Sequence, residues 1–337
     1  MLLPSRAAVP RPRSPYRGAF VTPAPPELIL RPLSGAGELG LFLRLSYVLD
    51  HELADDLAAG RRRPAWMWVA LRGERVVARI AWWTQPGGAE PLLLDFFDLD
   101  DTLPEPERTE TGLRLLEAAT AAVVPAGAVR PEYGRFVPAD WRDDPVARDG
   151  VEARTRVMEA SGARILVERL RLEWRAGTPV PEDSGRLVFR QVVDREDLLA
   201  LMTPVMEGTL DAHGQKDLAS GMSARQAAER QYEEEITGQK SPREWWRVAE
   251  LPSGEPVGFV LPARNNYHPM IGYIGVLPAH RGHGYIDDIL AEGTRVLAAR
   301  GVERIRAATD LGNVPMARSF ARLGYVNFER AIDMVWD

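Results

Sequence analysis

The residues best suited to chemistry stand in one short run, Val276-Leu277-Pro278-Ala279-His280-Arg281-Gly282-His283-Gly284-Tyr285-Ile286. Gly282 and Gly284 carry no Cβ, so the backbone there can curl and approach a ligand closely. Successive N–H groups in such a curl form a nest for an anion. A helix opening at Tyr285 adds unpaired N–H groups and the positive end of its dipole. Arg281 offers a forked donor. A pyrophosphate suits that combination; a tight turn of purely structural purpose is the plain alternative. The run is not a Walker loop, because no Gly-Lys-Ser or Gly-Lys-Thr is present. It is not a dinucleotide fingerprint either, because Asp287 stands where the third glycine belongs.

A second run lies downstream, Asp310-Leu311-Gly312-Asn313-Val314-Pro315-Met316-Ala317-Arg318-Ser319-Phe320-Ala321-Arg322-Leu323-Gly324-Tyr325. Asn313, Met316 and Phe320 recur at i, i+3 and i+7 and share one helix face. Taken singly, Asn313 reads equally well as an N-cap with Pro315 in the first turn, and Met316 and Phe320 as core residues.

The elements that must position these runs follow from patterning. The spacing predicts strands over Arg186–Gln191, Trp245–Leu251, Pro256–Ala263, Met270–Leu277 and Arg304–Ala308, then Tyr325–Arg330 and Ile332–Trp336. It predicts helices over Arg195–Met206, Ala224–Ile236, Tyr285–Arg300 and Asn313–Leu323, the first two capped by Asp194 and Ser223. Upstream, Trp66–Leu71, Val76–Trp83 and Leu92–Asp98 read as three strands of a second, similar layout. Met158–Trp174 aligns without gaps to Phe320–Trp336, so Gly162 meets Gly324 and Trp174 meets Trp336. We read the chain as an internal duplication.

The organisation expected is a disordered tail over residues 1–26, rich in Pro, Arg and Ala, then a domain over 27–175, a linker over 176–185 and a domain over 186–337. Two domains suit the length of 337 residues. There are no cysteines, which excludes disulfides and a thiolate nucleophile and fits a reducing, cytoplasmic setting. The five histidines show no metal-ligand spacing, and no metal is expected. A net charge of −6 does not suit a protein that grips nucleic acid. No apolar run is long enough to span a membrane.

The two runs together resemble the Gcn5-related N-acetyltransferase (GNAT) family. The family's pyrophosphate loop reads Arg/Gln-x-x-Gly-x-Gly/Ala. Arg281 and Gly284 match it, Ile286 stands where Gly or Ala is usual, and Val276 and Pro278 fit the V-x-P approach. In the downstream pattern Asn313, Met316, Gly324 and Tyr325 fit, while Phe320 replaces a tyrosine. The resemblance covers about 150 residues and is strongest over the last 70 or so.

It implies an α/β (α+β) fold of two GNAT-like domains, each a mixed, mostly antiparallel sheet flanked by helices. The first would be a degenerate copy, since Leu99-Asp100-Asp101-Thr102-Leu103-Pro104-Glu105 puts carboxylates where a pyrophosphate needs donors. It implies acetyl-CoA as acyl donor, held by Val276, Leu277, Arg281, Gly282, His283, Gly284, Tyr285, Ile286, Asn313, Met316 and Phe320. The acyl group would pass directly, in a ternary complex, to a primary amine of a small molecule or peptide. The N–H of Val276 or Leu277 would meet the oxyanion. Glu250, Tyr273 and His268 are candidate bases. Tyr285, Tyr273 or water would stand in as proton donor for the missing tyrosine at Phe320, or the thiolate would leave unassisted. The acidic run Glu233-Glu234-Glu235 reads as a solvated helix face. The rival reading is a catalytically silent acyl-CoA-binding regulatory module, favoured by Phe320 and Ile286. A homodimer is compatible with the sequence, which does not choose an oligomeric state.

Overall fold

The computed structural model describes residues 26–336; the expected tail lies, but for Pro26, outside the described residues. The strands are β1 Leu28–Pro32, β2 Met67–Arg72, β3 Arg75–Trp83, β4 Leu93–Leu99, β5 Glu132–Pro138 and β6 Ala163–Arg175 in the first half. The second half holds β7 Val188–Gln191, β8 Arg247–Glu250, β9 Pro256–Arg264, β10 Pro269–Val276, β11 Arg304–Asp310 and β12 Val326–Trp336. The helices are α1 Leu39–Phe42, α2 Leu53–Ala58, α3 Glu107–Val123 and α4 Pro145–Ala160. They continue with α5 Arg195–Met206, α6 Ala212–Ala219, α7 Ala224–Gln231, α8 Tyr285–Ala298 and α9 Val314–Arg322. No described helix is long and apolar enough to cross a membrane.

All twelve strands join one sheet in the order β1-β2-β3-β4-β5-β12-β6-β11-β10-β9-β8-β7. The order reads the same from either end once the halves are exchanged. Each half is therefore a mixed, mostly antiparallel sheet flanked by helices, as expected. Each half also lends its last strand to the other: β12 lies between β5 and β6, and β6 lies between β12 and β11.

The register of the central pair carries the internal repeat. The gapless alignment relates positions 162 residues apart, Gly162 to Gly324 for example. Val326 pairs with Glu173 and Val335 with Arg164; Asn327 pairs with Leu172 and Met334 with Ile165. Each of these pairs becomes its companion when the 162-residue shift is applied. Arg169 pairs with Ala331, and the shift maps that pair onto itself. A local two-fold relation thus runs through Arg169 and Ala331.

One expectation about this region is corrected. Tyr325–Arg330 and Ile332–Trp336 are not two strands but one, β12, with register shifts at Asn327/Glu329 and Asp333/Met334. A hairpin would place both strands in one half; crossing to the other half keeps the strand straight and absorbs the break as bulges.

The core divides by face. α8 and α9 cover one side of the second half through Ile289, Leu290, Leu297, Met316 and Phe320. α5 and α7 cover the other through Leu198, Leu199, Met202, Ala227 and Ala228, against Val248, Phe259 and Leu261. α8 is strongly amphipathic, and Gly293 on its buried face lets it lie against Val260 and Ile271; a Cβ there would stand 2.6 Å from Val260.

Because β11 is hydrogen-bonded to β6 along its length, residues 186–337 produced alone lose an inner strand and expose an edge. They are expected to be aggregated or unfolded by circular dichroism and size exclusion, and co-production with residues 1–185 is expected to restore a folded, associated pair. A well-folded monomer of 186–337 would contradict the exchange.

Candidate active site

β10 and β11 run parallel but pair only at Met270 and Arg306, and beyond that point they part. β10 changes register against β9 between Ile271 and Tyr273. Leu277 N–H donates to Val257 O at 2.8 Å. Because successive N–H groups of a strand point to opposite sides, Val276 N–H is turned away from β9 and into the gap. Of the two oxyanion donors expected, Leu277 is therefore occupied and does not line the gap, while Val276 faces it.

The gap opens into a cleft of about 820 Å³, within the range of small-molecule sites. Val276, Arg281, Gly282, Gly284, Tyr285, Ile286, Asn313, Met316, Phe320, Tyr273 and His268 all line it. The two motifs, nearly 30 residues apart in the chain, thus meet. Leu277, His283 and Glu250 do not line it.

The glycine loop has the expected shape. Gly282 and Gly284 adopt φ of 85° and 75°, and an added Cβ would meet nothing within 4 Å at either. Glycine is needed there for backbone conformation rather than for space. Among the described residues, Gly282, His283 and Gly284 N–H find no acceptor, and the first N–H groups of α8 are unpaired by helix geometry.

Arg281 is a correction. It does not reach into the loop as a free fork. Its Nε donates to Val276 O, Nη1 to Glu207 O and Gly208 O, and Nη2 to Val205 O. The guanidinium instead clamps the carbonyl end of α5 onto β10. The cation on the loop itself is Arg186, which patterning does not single out. It donates to His283 O and Gly284 O at 3.2 and 3.4 Å, pairs with Asp288, and lies over the Tyr285 ring at 5.2 Å. Nothing in its local pattern, at the mouth of a linker, distinguishes it.

α9 is tied to α8 by Asp287, which accepts from Ser319 Oγ at 2.6 Å and from Arg322. Asn313 is the N-cap, accepting Met316 N–H on Oδ1 at 3.4 Å, and its amide nitrogen is left for the cleft. Met316 and Phe320 are buried, with Phe320 edge-on to Tyr325 at 5.0 Å.

The candidate bases fare differently. Glu250 accepts from Arg190 Nε at 2.6 Å on the strand away from the cleft, and is not placed to touch a substrate. His268 lines the cleft, but burial and the charges of Arg306, Arg171 and Arg304 lower its pKa to about 4. It is neutral near pH 7 and too weak a base for an ammonium. Tyr273 lines the cleft with no hydrogen-bond partner for its hydroxyl among the described residues. Burial, then Asp211 and Glu235, push its pKa up, so it keeps its proton.

All three carboxylates of the acidic run are exposed, as a solvated helix face requires, and the run borders the cleft. Helix α7 ends in a π-type turn over Tyr232–Ile236. Glu233 stays outside, bonded to Arg195, but Glu234 and Glu235 line the cleft. Loss of solvent among the cleft walls, then the nearby Asp211, raise the Glu235 pKa. Helix α6 has no counterpart among the predicted elements. Asp211 caps it and also pairs with Arg169 Nη2 at 2.9 Å.

The first half also reaches this cleft. Arg169 and Arg171 of β6 line it. Arg169 Nη2 donates to His213 Nδ1 at 2.8 Å, so His213 Nε2 carries the hydrogen donated to Glu132. Glu132, His213 and Asp333 lie close enough to hold a metal, but both histidine nitrogens are engaged, and the group reads as a seam between halves.

Residues 215–325 match the family model described as Acetyltransferase (GNAT) family, so the second half carries a GNAT domain. Among curated proteins none matches the chain. In structure the chain is similar to a GCN5-related N-acetyltransferase from Sphaerobacter thermophilus, at 17% identity and a TM-score of 0.52, over 91% of this chain and 94% of that one. It is also similar to a glucosamine N-acetyltransferase region in a fungal multi-domain GH3 beta-N-acetylglucosaminidase, at 13% identity and a TM-score of 0.54, over 92% of this chain and 38% of that one. At these identities the likeness shows the fold, and that fold spans both halves.

Arg281→Ala removes the clamp on α5 and is expected to destabilise the protein by about 1–2 kcal/mol. Thermal melts should show a fall of a few degrees. Equal melts for variant and parent would show that the clamp contributes nothing.

Proposed function

We propose that the second half is an acetyl-CoA-dependent N-acetyltransferase that acylates a primary amine of a small molecule or peptide by direct transfer in a ternary complex. The observation that carries this reading is the junction of an anion nest of left-handed glycines at Gly282–Gly284 with a gap between β10 and β11 that leads to a cleft lined by carboxylates and tyrosines. The nest suits the pyrophosphate of a CoA ester. Asn313, with its amide nitrogen free, suits the pantetheine arm, while Met316 and Phe320 form an apolar wall.

In this reading Glu235 takes the proton of the incoming ammonium, directly or through water. Its raised pKa brings it nearer the working pH than an ordinary carboxylate of about 4.3. The amine nitrogen then bonds to the thioester carbon. Val276 N–H receives the developing oxyanion. As the carbon–sulfur bond breaks, the second proton of the nitrogen passes through Tyr273 or Tyr285, or water, to the thiolate, so that neutral amide and thiol leave. The first half serves as a degenerate copy that shapes the acceptor side through Arg169 and Arg171.

Its own gap is closed. β4 and β5 pair only through Leu93 and Leu94, and beyond them Arg135 bridges to Phe97 O and Asp98. Burial opposes the Asp98 charge, but Arg135, Arg79 and Arg154 together hold its pKa below the usual range. The buried Phe320, lacking the hydroxyl, is what favours the rival reading of a silent acyl-CoA-binding module; turnover with acetyl-CoA and an amine panel separates the two.

Isothermal titration with acetyl-CoA is expected to give one site per chain, and Gly284→Asp, which puts a carboxylate in the nest, to weaken it several-fold. Two sites per chain would contradict the closed gap of the first half.

Glu235→Gln is expected to lower kcat by about 10²–10⁴-fold with little change in acetyl-CoA affinity. In the parent enzyme, kcat/KM should rise with pH through a pKa above the usual carboxylate range. The rise should be absent in the variant. An unchanged profile would remove Glu235 from the mechanism.

A further inference from the structure

The end of the cleft where β10 and β11 last pair holds an arginine pair, Arg171 and Arg306, that takes no part in the bond-making steps. Arg306 lies on β11 opposite Glu173 of β6, and Arg171 lies two residues along β6 opposite Ala308. Both line the cleft, together with Asn265 and His268 of the β9–β10 turn. Arg306 stacks on Phe328 with its guanidinium 3.8 Å from the ring centroid, and Arg171 stacks on Phe136 at 3.4 Å. The aromatic rings fix the planes of both forks.

The hydrogen-bond account of this corner does not close. Arg306 Nη2 is 2.9 Å from Glu173, but its Nε and Nη1 are buried and have no partner among the described residues. Leaving buried guanidinium N–H groups unpaired is costly. Glu173 is also shared with Arg175 and Arg304, so it does not neutralise Arg306 alone. Arg171 Nη1 pairs with Glu329, and Glu52 of the first half adds a more distant carboxylate. Burial lowers the pKa of both arginines, and for Arg306 the charges of Arg171 and Arg304 add to the effect. Asn265 Oδ1 accepts the N–H groups of Tyr267 and His268, which leaves its amide nitrogen as a further donor. His268 is uncharged there. The corner presents donors and excess positive charge on apolar faces, while the carboxylates Asp211, Glu234 and Glu235 stand on the α6–α7 side of the same cleft.

We propose that this corner is an anion subsite and that the acceptor is an amine that also bears a carboxylate, an amino acid or the C-terminal end of a short peptide. The carboxylate takes the open donors of Arg306, Arg171 and Asn265, and the amine is directed toward the acidic wall. Glu173 and Glu329 already take one nitrogen of each arginine, which leaves charge for a monoanion rather than a dianion. The inference rests on the acyltransferase reading for its amine end, but the subsite itself can be tested by binding alone.

The test uses the full chain and three probe sets: the common L-amino acids and their dipeptides as free acids, the same compounds as carboxamides, and the corresponding aminoalkylphosphonates. Thermal-shift binding without acyl donor and steady-state acetyl transfer are measured in parallel. Free acids are expected to stabilise the protein and to be acylated with kcat/KM about 10–100-fold above their carboxamides, the range for losing charge-assisted hydrogen bonds. Arg306→Gln and Arg171→Gln are expected to abolish that preference by raising KM for the acids, with KM for acetyl-CoA unchanged. Arg306→Lys keeps the charge without the fork and should recover part of it; it also serves if Arg306→Gln fails to fold. Acids that bind in an Arg306-dependent way without being acylated would keep the subsite and sink the acyltransferase reading. Transfer to acids and carboxamides alike would overturn the subsite and keep the enzyme. Stronger binding of phosphonates than of acids would overturn the choice of a carboxylate.

Discussion

The pairing of β6 with β12 is the constraint on which the rest of the molecule depends. Each is the last strand of its half, and each is placed inside the other half's sheet. A strand buried on both edges must have every N–H and C=O matched, so a change in its register would disturb both halves at once. The two-fold relation through Arg169 and Ala331 fixes that register symmetrically. The exchange also explains why Arg169 and Arg171, residues of the first half, stand in the cleft of the second. β6 is the neighbour of β11, and side chains on its cleft-facing side have nowhere else to point.

The same two halves solve one structural problem in opposite ways. In each, two parallel strands pair briefly and then part, β4 from β5 and β10 from β11. A parted pair leaves backbone groups that need partners. In the first half Arg135 spans the gap to Phe97 O and Asp98, and Tyr47 Oη accepts the N–H of Phe136. In the second half the carbonyl of Val276 is met by Arg281, but the gap itself stays open. The duplicated fold thus carries one gap closed by buried charge and one gap left accessible.

Most of the scaffold is legible from patterning because its elements obey one local rule each. Helix α8 shows a 3.6-residue period, and Asp194 and Ser223 cap α5 and α7 as their types suggest. The glycine loop is legible for the same reason: φ of 85° and 75° is a property of two residues and needs no distant partner. Strand β12 is not, because Asn327 to Arg330 breaks the two-residue alternation. Only the pairing with β6 and β5 shows that break to be a bulge inside one strand rather than a turn.

The site is less legible because its polar residues are placed by long-range contacts. Arg281 has the residue type of an anion binder, yet the end of α5 offers it three backbone carbonyls, and a guanidinium satisfied by fixed carbonyls is not free to follow a ligand. Glu235 has the residue type of a solvated helix face. A single π-type turn adds one residue to the helical repeat and rotates the residues beyond it by roughly a hundred degrees relative to the α-helical expectation. That rotation turns Glu235, still exposed, toward the rim of the cleft, where Asp211 is its neighbour. The candidate site lies where local rules are broken, at the parted strands and the left-handed glycines.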